Sequence, residues 1–231
     1  MTAALAPTPE PSAAWPRPSA LLLDAMGTLI TLRRSVGHTY AAVAAEHGLA
    51  VEAERIDQVF PAIYRSAPPL AFPGLEGEAL RQAECDWWGD RIEACLQAAA
   101  GPTPGQDTQR ASAELRQALF EGFADPALWR VYDDVPAHLA AWHGSGLRLA
   151  VVSNFDSRLE GLLEGLDLAR WLELVVVSSR AGAAKPSPDP FLQALDGLGL
   201  APQQAWHVGD SPEDRAGAQA AGLRCLLVRR R

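Results

Sequence analysis

Five short apolar runs restrict what this chain can fold into more than any other feature. They are ALLLDAMGTLI from residue 20, LRLAVVSN (147–154), LELVVVSS (172–179), AWHVGD (205–210) and LRCLLV (223–228). Each has the length of a buried strand, although for the first run periodicity alone leaves a helix open. Their apolar character is continuous rather than alternating, which implies burial on both faces, as in a parallel sheet. Helical patterns lie between them. Leu159, Leu162, Leu163 and Leu166 follow Asp156 as a candidate N-cap, Phe191, Leu195 and Leu198 follow Pro190 and stop at Gly199, and Ser211-Pro212 opens a helix ending near Gly222. Strands alternating with helices predict an open α/β sheet with right-handed crossovers.

Residues 33–128 break this rhythm, with helical periodicity and no convincing strand. They read as an inserted helical domain between core segments 19–32 and 129–231, able to lie over the strand ends as a lid. Its first helix carries Tyr40, Val43, Ala44 and His47 on one face and ends at Gly48, and residues 98–108 read as a loop. Residues 1–18 hold five prolines and neither an apolar core nor a basic start, so a disordered tail is expected rather than a signal peptide.

Charge and cysteine content narrow the partners. With 28 Asp and Glu against 20 Lys and Arg, the net charge of −8 repels phosphate backbones, and nucleic acid is not an expected partner. No apolar stretch reaches the roughly 20 residues needed to cross a bilayer. The three cysteines, Cys85, Cys95 and Cys225, show no CxxC or Cys/His spacing, which disfavours disulfides and structural zinc and suits a reducing cytoplasm. The terminal RRR reads as a solvated tail.

In an open α/β sheet ligands bind beyond the carboxyl ends of the strands. That rule selects Asp24, Ser153, Asn154, Asp210 and Asp214, with Lys185 in the loop after the third run. Lys185 is the only lysine among the 20 basic residues, which are otherwise all Arg. Carboxylates, a hydroxyl and one ammonium converging on one edge suit Mg²⁺ and a phosphate, because Mg²⁺ takes a few carboxylates plus substrate oxygens.

These residues resemble the haloacid dehalogenase superfamily, in its subfamily with a helical cap inserted after motif I. Motif I is LLLDAMGTL, motif II AVVSN, motif III Lys185 in AAKPSPDPF and motif IV HVGDSPED, in that order over residues 20–228. The resemblance implies an open Rossmann-like parallel sheet with helices on both faces, plus an α-helical cap domain. It implies that Asp24 is a nucleophile forming an aspartyl-phosphate, helped by Ser153 and Lys185. Mg²⁺ would be held by Asp24, the Met26 carbonyl, Asp210 and Asp214, the last as ligand or supporting partner. Gly27, Thr28 and Asn154 would contact a small phosphorylated metabolite, joined from the cap junction by Arg33 and His38.

One position departs from the pattern. Phosphatases of this family usually carry a second Asp two residues after the nucleophile, as general acid and base; here it is Met26. A thioether moves no protons, and the loss costs roughly 10²- to 10⁴-fold in rate unless something replaces it. Three resolutions stand open: a substrate with a good leaving group, a base from the cap such as His38, or binding with little turnover. Metal-independent dehalogenase-type attack on carbon is a further alternative. Plainer readings exist as well: Asp214, three residues after Ser211, suits a helix cap, Arg33, Arg34 and His38 suit a solvated helix start, Trp87 and Trp88 suit packing, and His138, His143 and His207 lack metal-ligand spacing.

Overall fold

A computed structural model describes residues 17–100 and 111–230. The chain runs β1 (Ala20–Leu23), β2 (Ile30–Leu32), α1 (Val36–Glu46), α2 (Ala53–Ser66), α3 (Gly77–Ala100), α4 (Ala113–Gly122), β3 (Trp129–Val131), α5 (Val135–Gly144), β4 (Arg148–Ser153), α6 (Arg158–Gly165), β5 (Leu174–Val177), α7 (Ser178–Ala181), α8 (Asp189–Leu198), β6 (Ala205–Gly209), α9 (Pro212–Ala220) and β7 (Arg224–Leu227). Five of these strands form one parallel sheet in the order β5-β4-β1-β6-β7. The predicted α/β architecture is therefore the observed one.

The continuous apolar runs are explained by two cores, one on each side of the sheet. In β1, Leu21 and Leu23 pack with Leu139, Leu159 and Leu163 beneath α5 and α6. Ala20 and Leu22 face the other way, onto Phe191, Leu195 and Ala218 of α8 and α9. Alternation across the pleat thus feeds both layers, and no position on this strand is left for a polar residue until the strand ends. The helix from Asp189 stops at Gly199, whose φ of 63° is left-handed, as the sequence predicts.

The first run is not a single strand. It ends at Leu23, reverses through a turn in which the amides of Thr28, Leu29 and Ile30 all reach the Ala25 carbonyl, and resumes as β2. The second piece pairs antiparallel with β3, Leu32 opposite Trp129, outside the main sheet. Thus the chain segments leaving and rejoining the sheet are zipped together. Between them α1–α4 pack around their own core of Tyr40, Ile56, Ile92, Leu96 and Leu119. The expected tail and the loop at 98–108 lie largely outside the described residues.

Two further expectations change. Asp156 does more than cap: its Oδ1 accepts from the amide of Arg158, the first residue of α6, at 3.1 Å, and the fully buried carboxylate also takes the Arg158 guanidinium at 2.6 Å and the Trp88 indole N–H at 2.7 Å. The C-terminal arginines are not simply a solvated tail. Arg230 pairs with Asp134 at 2.6 Å, lies 4.3 Å from the centre of the Tyr132 ring and donates to the Thr28 carbonyl.

The helical layer is fastened to the sheet by Glu84 of α3, which is fully buried. Its carboxylate accepts from the Ser157 amide at 3.0 Å, the Ser157 hydroxyl at 2.5 Å and the Ser179 hydroxyl at 2.6 Å. Truncating it strands three donors in a closed interface, each of which costs more unmade than it contributes when made. Glu84→Ala is therefore expected to lower the unfolding free energy by about 2–4 kcal/mol, measured by urea denaturation; a loss within experimental error would refute the fastening role.

Candidate active site

Four chain segments meet at the carboxyl edge of the sheet. β1 delivers Asp24, whose amide continues the ladder to the Val208 carbonyl at 2.9 Å. β4 ends at Ser153, and its hydroxyl donates to Asp24 Oδ1 at 3.0 Å. The loop after α7 carries Lys185, and β6 leads through Gly209 to Asp210 and then to Asp214 in the first turn of α9. β1 is flanked by strands whose connections depart to opposite sides, and a crevice forms at such a switch point.

Lys185 is the hub. Only 6% exposed, its Nζ lies 2.7 Å from Asp24 Oδ1, 2.5 Å from Asp214 Oδ1 and 3.1 Å from the Val152 carbonyl. Its three N–H bonds are all used. Burial works against the charged amine, yet the carboxylates of Asp24 and Asp214 outweigh it and hold its pKa above that of an ordinary lysine. Asn154 sets the loop: its side-chain amide and carbonyl exchange bonds with the Lys185 carbonyl and amide at 2.9 and 2.7 Å. That side chain is thus committed to placing the ammonium.

Asp214 is saturated. Oδ1 accepts from Lys185 and from His207 Nε2 at 2.9 Å, while Oδ2 accepts from the Asp210 and Ser211 amides and the Ser211 hydroxyl. With the Ser211 hydroxyl accepting from the Asp214 amide, this completes a capping box, so the plain helix-cap reading and the place in the charge cluster coexist. Burial opposes its charge, but His207 and Lys185 prevail and hold its pKa far below the carboxylate range. Asp210 is the exposed member. Burial, followed by the negative charges of Asp24 and Asp214, pushes its pKa up.

Asp24, Asp210 and Asp214 each bring an oxygen within 4.8 Å of the others. With Asp214 saturated, the hard oxygens of Asp24 and Asp210 remain, and the negative charges of Asp24 and Asp214 add to burial in raising the pKa of Asp210. The donor set suits a small divalent cation such as Mg²⁺. Gly27, with φ of 83°, is required here: a Cβ would stand 2.4 Å from Asp210 Oδ2.

Beside the charged edge lies an apolar cavity of about 200 Å³ between the strand ends and α1–α4. Met26, 41% exposed, and Asn154 and Phe155 line the sheet side, with Tyr40, Tyr64 and Trp88 among the helical contributors. The remaining sequence candidates fall elsewhere. Thr28 is buried, lines a separate cavity of about 210 Å³ with Leu23 and Trp142, and its hydroxyl has no partner. Arg33 is exposed, with its amide on the Leu128 carbonyl. His38 is exposed and shares a 2.7 Å bond with Ser35, the cap of α1. Neither Arg33 nor His38 lines the cavity.

Sequence reading missed His207, which is fully buried and joins the Leu22 carbonyl to Asp214. The available signal was a lone polar ring inside the apolar run AWHVGD. It also missed Asp156, Arg158 and Trp88 acting together, which no local spacing announces.

A family model described as haloacid dehalogenase-like hydrolase matches residues 18–222. The chain belongs to the haloacid dehalogenase-like hydrolase family. Within that family it is 38% identical over 211 residues to haloacid dehalogenase-like hydrolase domain-containing protein 3 of Bos taurus, covering 90% of this chain and 80% of that one. Phosphoserine phosphatase of Thermus thermophilus is 34% identical over 161 residues, 68% of this chain and 60% of the relative. The fold is shared with CbbY from Rhodobacter sphaeroides, solved with phosphate, at a TM-score of 0.62 and 20% identity, covering 92% of this chain and 86% of that one. Among the described residues no helix is long and apolar enough to cross a membrane.

In this family member the depressed pKa of Asp214 has a sign that can be measured. A carboxyl whose folded pKa lies below its unfolded value of about 3.9 adds stability above that value, and loses it as pH falls toward the folded pKa. The difference in unfolding free energy between wild type and Asp214→Asn is expected to be level above about pH 5 and to shrink below about pH 4. A difference that instead grows on acidification would refute the assignment.

Proposed function

We propose that the protein is a Mg²⁺-dependent phosphohydrolase of a small phosphorylated compound, working through Asp24. The observation that carries this reading is the buried Asp24 carboxylate, held by Ser153 and Lys185 at 3.0 and 2.7 Å beside Asp210 and Asp214. Among the described residues both donors reach Oδ1, which leaves Oδ2 for attack. Asp24, the Met26 carbonyl and Asp210 are the proposed holders of Mg²⁺, with Asp214 fixing Lys185 and the Asp210 backbone from behind. Held there, Mg²⁺ would supply the positive charge that offsets the charge developing on the phosphate oxygens.

The chain's own groups then divide the work. Asp24 oxygen bonds to phosphorus as the bond to the leaving oxygen breaks, and the electron pair departs with the leaving group. Ser153, Lys185 and the backbone beside Asn154 stabilise the charge on the transferred group. Water next attacks phosphorus, the bond to Asp24 breaks, and inorganic phosphate is released. The helical layer over the strand ends acts as the cap that selects the substrate. The three free cysteines suit a reducing, cytoplasmic setting.

Met26 divides the two halves of this cycle unequally. Neither half has a proton carrier at that position, and His38 is exposed, bonded to Ser35 and outside the cavity lining. A leaving group that departs unaided makes the first half fast, whereas water activation in the second half is impaired for every substrate. Reactive phosphate esters should therefore give a burst near one equivalent, followed by slow turnover. In a phosphatase assay, Asp24→Asn or chelation of Mg²⁺ is expected to abolish both phases. Met26→Asp is expected to raise steady-state hydrolysis of alkyl phosphates at least tenfold, within the roughly 10²- to 10⁴-fold that acid-base catalysis supplies. Activity that survives Asp24→Asn would end the nucleophile assignment, and activity indifferent to Mg²⁺ would favour the metal-independent alternative.

A further inference from the structure

The cavity beside Met26 specifies more than a place for phosphate. Its wall carries Phe60, Tyr64 and Trp88, whose rings run nearly parallel: Phe60 to Tyr64 at 5.7 Å and 20°, Tyr64 to Trp88 at 6.1 Å and 24°. Of the polar groups along it, Arg158 and the Trp88 N–H are committed, while the Tyr40 and Tyr64 hydroxyls make no hydrogen bond among the described residues. Arg158 is paired with Asp156 at 2.6 Å and lies 4.0 Å from the centre of the Phe120 ring, and the Trp88 N–H is given to Asp156. A sugar or amino-acid arm entering here would shed its water and find only the two tyrosine hydroxyls in exchange, too few for its several polar groups. A flat apolar arm needs no such partners. An apolar cavity of about 150 Å³ accepts benzene, and the volume here is about 200 Å³, enough for one ring or two fused rings.

The chemistry at position 26 agrees with the shape. With no proton donor at position 26, a leaving oxygen able to depart as an anion is favoured. A phenol, with a pKa of about 10, does so far more readily than an alcohol, whose pKa lies near that of water at about 15.7. The thioether that stands in place of a proton donor also adds an apolar, polarizable edge to the cavity, where sulfur can contact a ring.

We propose that the cavity formed by Met26, Phe60, Tyr64, Trp88 and Phe155 is the subsite for an aromatic leaving group, and that the substrates are aryl phosphate monoesters. This rests on the phosphohydrolase reading through Asp24. In the step assigned, the bond from Asp24 oxygen to phosphorus forms, the bond from phosphorus to the aryl oxygen breaks, and the phenolate leaves to take its proton from solvent.

Three substrates separate the components of this claim: 1-naphthyl phosphate has a ring and a good leaving group, acetyl phosphate a good leaving group alone, and glycerol phosphate neither. Because kcat/KM reports transfer to Asp24, slow hydrolysis of the phosphoenzyme does not obscure the comparison. With Mg²⁺ present, kcat/KM for 1-naphthyl phosphate is expected to exceed that for acetyl phosphate at least tenfold, and that for glycerol phosphate at least a thousandfold. Benzylphosphonate should inhibit at least tenfold more tightly than methylphosphonate, a measurement that needs no variant. Val36→Phe, which fills the cavity, and Phe60→Ala, which removes a ring, should each lower the ratio of naphthyl to acetyl kcat/KM at least fivefold. Acetyl phosphate used as well as 1-naphthyl phosphate, with the two phosphonates equal, overturns the aromatic subsite and leaves the phosphohydrolase intact. Failure of all three substrates, with no phosphoenzyme formed, overturns the phosphohydrolase reading and the subsite with it.

Discussion

The structure depends on one buried ammonium. Lys185 sits between Asp24 and Asp214, and its three bonds fix the geometry of both carboxylates and the end of β4 at Val152. Taking these charges out of water costs several kcal/mol per ion, and the cost is recovered only where every lone pair and proton is matched. The matching here extends outward through His207 to the Leu22 carbonyl, through Ser211 to the first turn of α9, and through Asn154 to the Lys185 backbone. An arginine fork could not place one compact charge among three such acceptors, which gives a physical reason for the single lysine in a chain that otherwise uses arginine.

Around that centre, polar and apolar requirements are kept apart. Carboxylates occupy the strand ends on one side of the crevice, while aromatic rings from α2 and α3 close the other. The boundary runs through Met26, Asn154 and Phe155. The helical layer is seated over it by two buried carboxylates used as anchors: Glu84 reaches down to Ser157 and Ser179, and Asp156 reaches up to Trp88. Each anchor is satisfied by short bonds between segments far apart in the chain, which tie the layer to the strand ends at defined points.

Much of this was legible in the residues. A parallel sheet covered on both faces leaves its mark as unbroken apolar runs, and the reactive groups must then follow those runs, which is how Asp24, Ser153, Lys185 and Asp210 could be picked out. What stayed hidden depends on contacts between distant segments. His207 reads as an interruption in a strand until Asp214 is folded back onto it. The β2–β3 pair is invisible because each strand is only three residues long and its partner lies almost a hundred residues away. Thr28 follows the motif in sequence, yet the turn at Gly27 carries its side chain to a different cavity.

That short ribbon between β2 and β3 has an evolutionary consequence. It brings the two junctions of the helical layer side by side, Leu32 against Trp129, at a point where neither belongs to the parallel sheet. Any module whose ends meet at the same spacing could be grafted onto such a neck without disturbing the strands beneath. A lineage built this way can exchange the part that chooses a molecule while inheriting unchanged the part that breaks its bond.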